Sequence, residues 1–198
     1  MLLAVFAQFS GINVVFYYGT TLLEKYGFQP DSTLSGTAVI GFFNMIFTLV
    51  AMVLVDKLGR RLLLQIGTIG AIVCLGGIGS MFGQGHPSSM LIVLMCGFVA
   101  FFAFSLGPIK FVFASEIFPT NIRSHAMSVV ILSMWAADTL VGQFFPWMRD
   151  NFGPALTFIL FAAILTPQIW MVWRWMPETA GQSLEEIERS YSNRETQS

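Results

Sequence analysis

The sequence predicts an all-α membrane protein with six transmembrane helices. Three observations carry this. Of 198 residues, 55% are hydrophobic and 11% charged, against about 25% charged in a soluble domain, and the mean hydropathy is +0.71. The charges are clustered, which leaves uncharged runs at 1–23, 32–55, 62–109, 124–137 and 151–173. Those runs have the right length, because at about 1.5 Å per residue roughly 20 helical residues cross a hydrocarbon core of about 30 Å.

The runs place spans at about residues 2–21, 34–55, 62–82, 90–113, 126–145 and 155–175. The run 62–109 holds two of them, and "GQGHPSS" at 83–89 is the turn between. Orientation follows from basic residues, which concentrate in cytoplasmic loops. Lys57, Arg60 and Arg61 follow the second span, Arg123 follows the fourth, and Arg174 closes the sixth. The alternate loops are poorer in basic residues, so both termini are expected in the cytoplasm of a cell with this multi-pass protein in its membrane.

The first span is too long for a signal-peptide core and has no basic region before it. It starts almost without a flank, as if the chain had been cut just before the membrane. Residues 1–176 read as one membrane unit and 177–198 as a cytoplasmic tail. In that tail "SLEEIERSY" sets Glu185 and Arg189 at i,i+4, so a short surface helix and a solvated segment both stay open.

Composition also excludes functions. A net charge of −1 with no basic tract gives no basis for nucleic-acid binding. Cys74 and Cys96 lie inside spans and read as small packing residues. No nucleophile with a base and no metal-ligand cluster stands out, so neither an enzyme nor a cofactor or metal is expected.

Polar residues within spans must find partners or face water. In the first span Asn13, Tyr17, Thr20 and Glu24 fall at i, i+4, i+7 and i+11, one helical face. Thr37, Gly41, Asn44 and Thr48 repeat the spacing in the second. Matching stripes suggest a shared wet interior; hydrogen bonding between helices with no ligand is the other reading. Gln8 lies about 140° from Asn13 on an ideal helix, so both line one cavity only if it is wide or the helix is distorted near Gly11.

The third span is smooth, with Gly67, Gly70, Ala71, Cys74, Gly76, Gly77 and Gly79, which favours close structural packing. The fourth contains Gly107 and Pro108. Proline removes a backbone donor and kinks a helix, and such breaks border membrane binding sites as well as serving packing alone.

Four motifs, "QFSGINVVFYYG", "DKLGRR", "GPIKFVFASEIFPTNIR" and "PETAGQSLEEIE", stand in an order and spacing that resembles the second half of a sugar porter of the major facilitator superfamily. Members have twelve spans, so the resemblance implies spans seven to twelve: half of a major facilitator fold, built as a 3+3 inverted repeat. It implies transport of a monosaccharide or related polyol by alternating access, and a missing N-terminal six-span half as partner alongside the sugar and the bilayer.

The resemblance further implies that Gln8, Asn13, Asn44 and Trp135 face the sugar, with Tyr17 and Tyr18 toward the outer gate. Amides donate and accept at once, and an indole face packs on the C–H side of a pyranose. Phe111 stands where many members have tryptophan, and Asp138, nearly on the face of Trp135, stands for a frequent asparagine; both join the expected substrate-binding set. Asp56, Arg60, Arg61, Glu116, Arg123 and Glu178 would form a cytoplasmic charge network, with orientation by positive charge as the alternative. Ala7, Met134 and Ala180 also depart from the family pattern.

Lys110, where many members have a second proline, lies six residues before Glu116, about 9 Å along a helix. Its stem is expected to snorkel toward the cytoplasmic surface, as a boundary marker and not a ligand, and a direct pair with Asp138 looks strained. An ionised aspartate at a helix centre costs about 2.5 to 3.5 kcal/mol on the insertion scale. Asp138 is therefore expected to bind substrate or titrate, or else to hydrogen-bond a group of the second or fourth span. A reading from another class is a non-transporting membrane protein, truncated or needing a partner half.

Overall fold

The computed structural model describes residues 2–25, 30–84, 89–118 and 120–176. The expected tail with Glu178 and the centre of the 83–89 turn lie outside the described residues. Those described form α1 (Leu2–Phe9), α2 (Ile12–Lys25), α3 (Pro30–Leu58), α4 (Arg60–Gln84), α5 (Ser89–Phe101), a π-helical turn (Phe102–Leu106), α6 (Gly107–Ile117) and α7 (Arg123–Trp175). Among the described residues, four helical stretches are long and apolar enough to cross a membrane: Gly36–Val55, Arg60–Gln84, Ser89–Ile117 and Arg123–Arg174.

The expected first span is two helices, not one. At Gly11 the backbone takes φ 75°, a left-handed conformation that suits glycine, and a Cβ there would lie 2.6 Å from the Phe161 ring of α7. Ser10 Oγ donates to the Ala7 carbonyl at 2.6 Å, satisfying an acceptor that the broken ladder leaves open. A distortion near Gly11 is one of the two conditions under which Gln8 and Asn13 could line one cavity, the other being a wide cavity.

The expected fifth and sixth spans are merged in α7, but Gly153 interrupts it with φ 78° and ψ 158°. Pro154 follows, in a position where a missing N–H is harmless to the helix it opens. The first part runs on past Phe145 through Arg149 and Asp150, which are bonded to each other at 2.8 Å.

Helix α4 is the packing centre, for the reason its small residues predict. Gly67 lies against Ser105 and Gly70 against the Phe101 ring. At Gly79 a Cβ would meet Ile159 at 2.7 Å and the Ala155 carbonyl at 2.8 Å. Its Phe82 stacks on Phe158 at 5.5 Å, and Phe158 continues into Phe145 and Phe161. Phe98, Phe145 and Phe158 are fully buried in this core. Gln168 Nε2 donates to Thr68 Oγ1 at 3.4 Å, tying α7 to α4.

The break at Gly107–Pro108 takes a specific form. Proline cannot donate to the carbonyl four residues earlier and its ring crowds that carbonyl. The preceding turn widens into a π-helix, in which the Gly107 N–H reaches the Phe102 carbonyl. That bond pairs one backbone donor and acceptor at the break, in a setting where hydrocarbon leaves unpaired backbone groups costly.

Candidate functional site

The expected sugar-facing residues divide by location. The link between them is a hydrogen bond from Asn13 Nδ2 on α2 to Asp138 Oδ1 on α7, at 2.5 Å. Asp138 is 7% exposed. A buried carboxylate needs such a donor, and it comes from the first expected span, not from the second or fourth. One turn back from Asp138, Met134 is buried while Trp135 stands 54% exposed.

Gln8 on α1 and Asn13 on α2 lie on either side of the break at Gly11. Gln8 is 4% exposed, deeper than a freely sugar-facing amide, and Asn13 is half-buried. Tyr17 is exposed. Tyr18 turns the other way, donating to the Gly142 carbonyl at 3.5 Å and packing on Phe145 with ring centres 4.9 Å apart. Tyr18 thereby braces α2 against α7.

Asn44 is half-buried on α3, its carbonyl accepting from Thr48 Oγ1 at 2.7 Å. The polar stripes of α2 and α3 stay partly open, and the two helices pack side by side.

Phe111 packs against Ala4, Ala114, Val130 and Met134, so α1, α6 and α7 meet there. Lys110 corrects the expectation of snorkelling. It is 6% exposed, and its ammonium lies 5.2 Å from the centre of the Phe111 ring and 5.4 Å from that of Phe102. Ring faces attract a cation through their quadrupoles, so aromatic contacts replace water. Phe102 belongs to the π-helical turn, and a straight-helix count from the sequence does not bring it beside Lys110.

Of the residues expected in a charge network, Arg60 and Glu116 are paired. Arg60 Nη2 donates to Glu116 Oε1 at 2.8 Å, and Arg60 Nη1 to the Val55 carbonyl at 3.4 Å. Arg61 Nη2 reaches the Trp173 carbonyl near the end of α7 at 2.5 Å. Arg123 Nε caps the Phe118 carbonyl at 3.2 Å. Gly59 (φ 83°) ends α3 and turns the chain so that Arg60 opens α4 beside α6. The side chain of Asp56, and all of Glu178, lie outside what is described.

A cavity of about 430 Å³ lies between α3 and α5 and is lined by Phe43, Phe47, Ile92, Cys96 and Phe104 among others. These side chains offer no hydroxyl or amide to a polar ligand.

The profile of the family "Sugar (and other) transporter" matches residues 1–191. The chain is 40% identical over 190 residues to an arabinose-proton symporter of Bacillus subtilis, covering 96% of this chain and 41% of that protein. It is 34% identical over 194 residues to a D-xylose-proton symporter of Escherichia coli, covering 95% and 40%.

Among solved structures, the proton:xylose symporter XylE bound to 6-bromo-6-deoxy-D-glucose superposes with a TM-score of 0.87 at 33% identity, over 96% of this chain and 41% of that one. The inward-open xylose transporter XylE of Escherichia coli gives 0.82 at 33% identity, over 96% and 40%. The chain thus spans about two fifths of the length of the relatives it matches.

Proposed function

The chain belongs to the sugar transporter family, and from that membership we propose that it forms the C-terminal, six-span half of a sugar carrier working by alternating access. The substrate in this reading is a monosaccharide or related polyol. The spans are α1 with α2, then α3, α4, α5 with α6, and the two parts of α7 divided at Gly153, arranged as a 3+3 inverted repeat. Both termini lie in the cytoplasm, with 177–198 as the tail.

One observation carries the reading. Asn13 and Asp138, distant in the chain, meet in a single hydrogen bond beside an exposed Trp135. That combination supplies both a polar contact for sugar hydroxyls and an aromatic face for the ring. Gln8, Asn44, Tyr17 and Phe111 complete the half-site.

The Arg60–Glu116 pair, with Arg61, Arg123, Asp56 and Glu178, holds the cytoplasmic end closed in one conformer. Opening it during the cycle exchanges these bonds for water. Apolar side chains left exposed on α3, such as Phe42, Met45, Leu49 and Met52, suit burial against lipid or the N-terminal half.

Sugar uptake into liposomes tests the proposal. The chain alone gives no saturable, stereospecific flux, and co-reconstitution with a sugar-porter N-terminal half gives it. Flux from the chain alone, without assembly of two copies, contradicts the half-carrier reading.

A further inference from the structure

Lys110 and Asp138 are the two charged side chains that are buried among the described residues. They stand on adjoining helices in one locality. Lys110 rests over the Phe111 ring, Phe111 packs on the cluster that includes Met134, and Met134 is one helical turn before Asp138. Helices α6 and α7, which carry them, are in direct contact.

Neither has an opposite charge within 4.0 Å among the described residues. Lys110 lies over ring faces, and Asp138 accepts from the neutral Asn13 amide. An isolated charge inside a membrane span is costly, whereas two opposite charges whose fields overlap leave the region neutral at moderate range.

We infer that Lys110 and Asp138 act as one charge-compensated unit behind the sugar-facing surface, which keeps that surface neutral and restricts it to uncharged sugars. The sugar specificity in this inference rests on the sugar-site reading above; the pairing itself does not. Lys110 is a positioning residue here, acting on the substrate through the field it cancels. Loss of the Asp138 charge leaves a buried cation that attracts a sugar carboxylate. Loss of the Lys110 charge leaves an anion that repels one.

The test takes as parent the carrier assembled by co-expressing the chain with a sugar-porter N-terminal half, in lipid nanodiscs, and compares it with K110Q, D138N and K110Q/D138N by thermal unfolding and by titration with D-glucose and D-glucuronate. Each single variant is expected to lower the melting temperature, and the double variant to lose less than the two singles combined. D138N is expected to raise the affinity for glucuronate relative to glucose by about tenfold or more, and the double variant to return that ratio toward the parent's.

Additive melting losses, or an unchanged glucuronate-to-glucose ratio in a D138N that binds sugar, would overturn the inference. If the parent binds neither sugar, the sugar-site reading fails instead. The melting comparison then decides the pairing by itself.

Discussion

Asn13 Nδ2 and Asp138 Oδ1 are 2.5 Å apart although 125 positions separate the two residues in the chain. The Asn13 amide presents its N–H₂ to Asp138 and keeps its carbonyl for another partner. A sugar hydroxyl donating to that carbonyl meets an Asn13 that is already oriented.

That bond has a measurable strength. Hydrogen bonds to charged groups contribute about 1.5 to 3 kcal/mol, and Asp138 is nearly buried. A double-mutant cycle with N13A and D138A, read by thermal unfolding in detergent, is expected to give a coupling of at least about 1 kcal/mol. Additive losses contradict the bond.

Steric contacts around α4 give a paired comparison. Gly79→Ala forces a methyl toward the Ala155 carbonyl, which cannot swing away as a side chain can. A destabilisation of about 1 to 3 kcal/mol is expected from such overpacking. Gly76 has nothing within 4 Å of its would-be Cβ, so Gly76→Ala is expected to be neutral or to stabilise by up to about 1 kcal/mol, the helix-propensity difference. Equal effects at both positions would refute the packing.

How far the sequence reaches is clear from these positions. Gly76 and Gly79 look alike in a smooth span, and only the approach of α7 distinguishes them. Clustered charges mark the membrane spans because hydrocarbon penalises charge wherever a helix crosses. The break at Gly11 stays open in the sequence, where the angle between Gln8 and Asn13 allows a wide cavity as well as a distorted helix; the break near Pro108 follows from proline chemistry. Its π-helical form is not, since that depends on which carbonyl Gly107 reaches. The burial of Lys110 is hidden for the same reason: Phe102 comes beside it only after the turn widens. The partner of Asp138 is hidden too, because periodicity gives the face of one helix and not its neighbour.

The Arg60–Glu116 pair is predicted to be specific. Their side chains are 12% and 20% exposed, so screening by water is partial. E116Q is expected to cost about 1 kcal/mol or more in thermal unfolding. The exchanged pair R60E/E116R is expected to recover part of what R60E loses. No recovery would mean that Arg60 acts through its other contacts, such as the Val55 carbonyl.

Gly11 tests the break between α1 and α2. Gly11→Ala places a methyl against Phe161 in a backbone conformation that alanine disfavours, and a loss above about 1 kcal/mol is expected. A stable Gly11→Ala variant would indicate that the first span can straighten.

The central claim is that this half contributes a sugar site. Its most direct test is sugar binding to a carrier assembled by co-expressing the chain with a sugar-porter N-terminal half, comparing the parent with Q8A, N13A, N44A and W135A. The account predicts that N44A weakens binding by about 1 to 3 kcal/mol, the cost of leaving a buried partner unpaired, and that W135A weakens it through loss of the aromatic face. Unchanged affinity in all four variants, each correctly inserted, would contradict it.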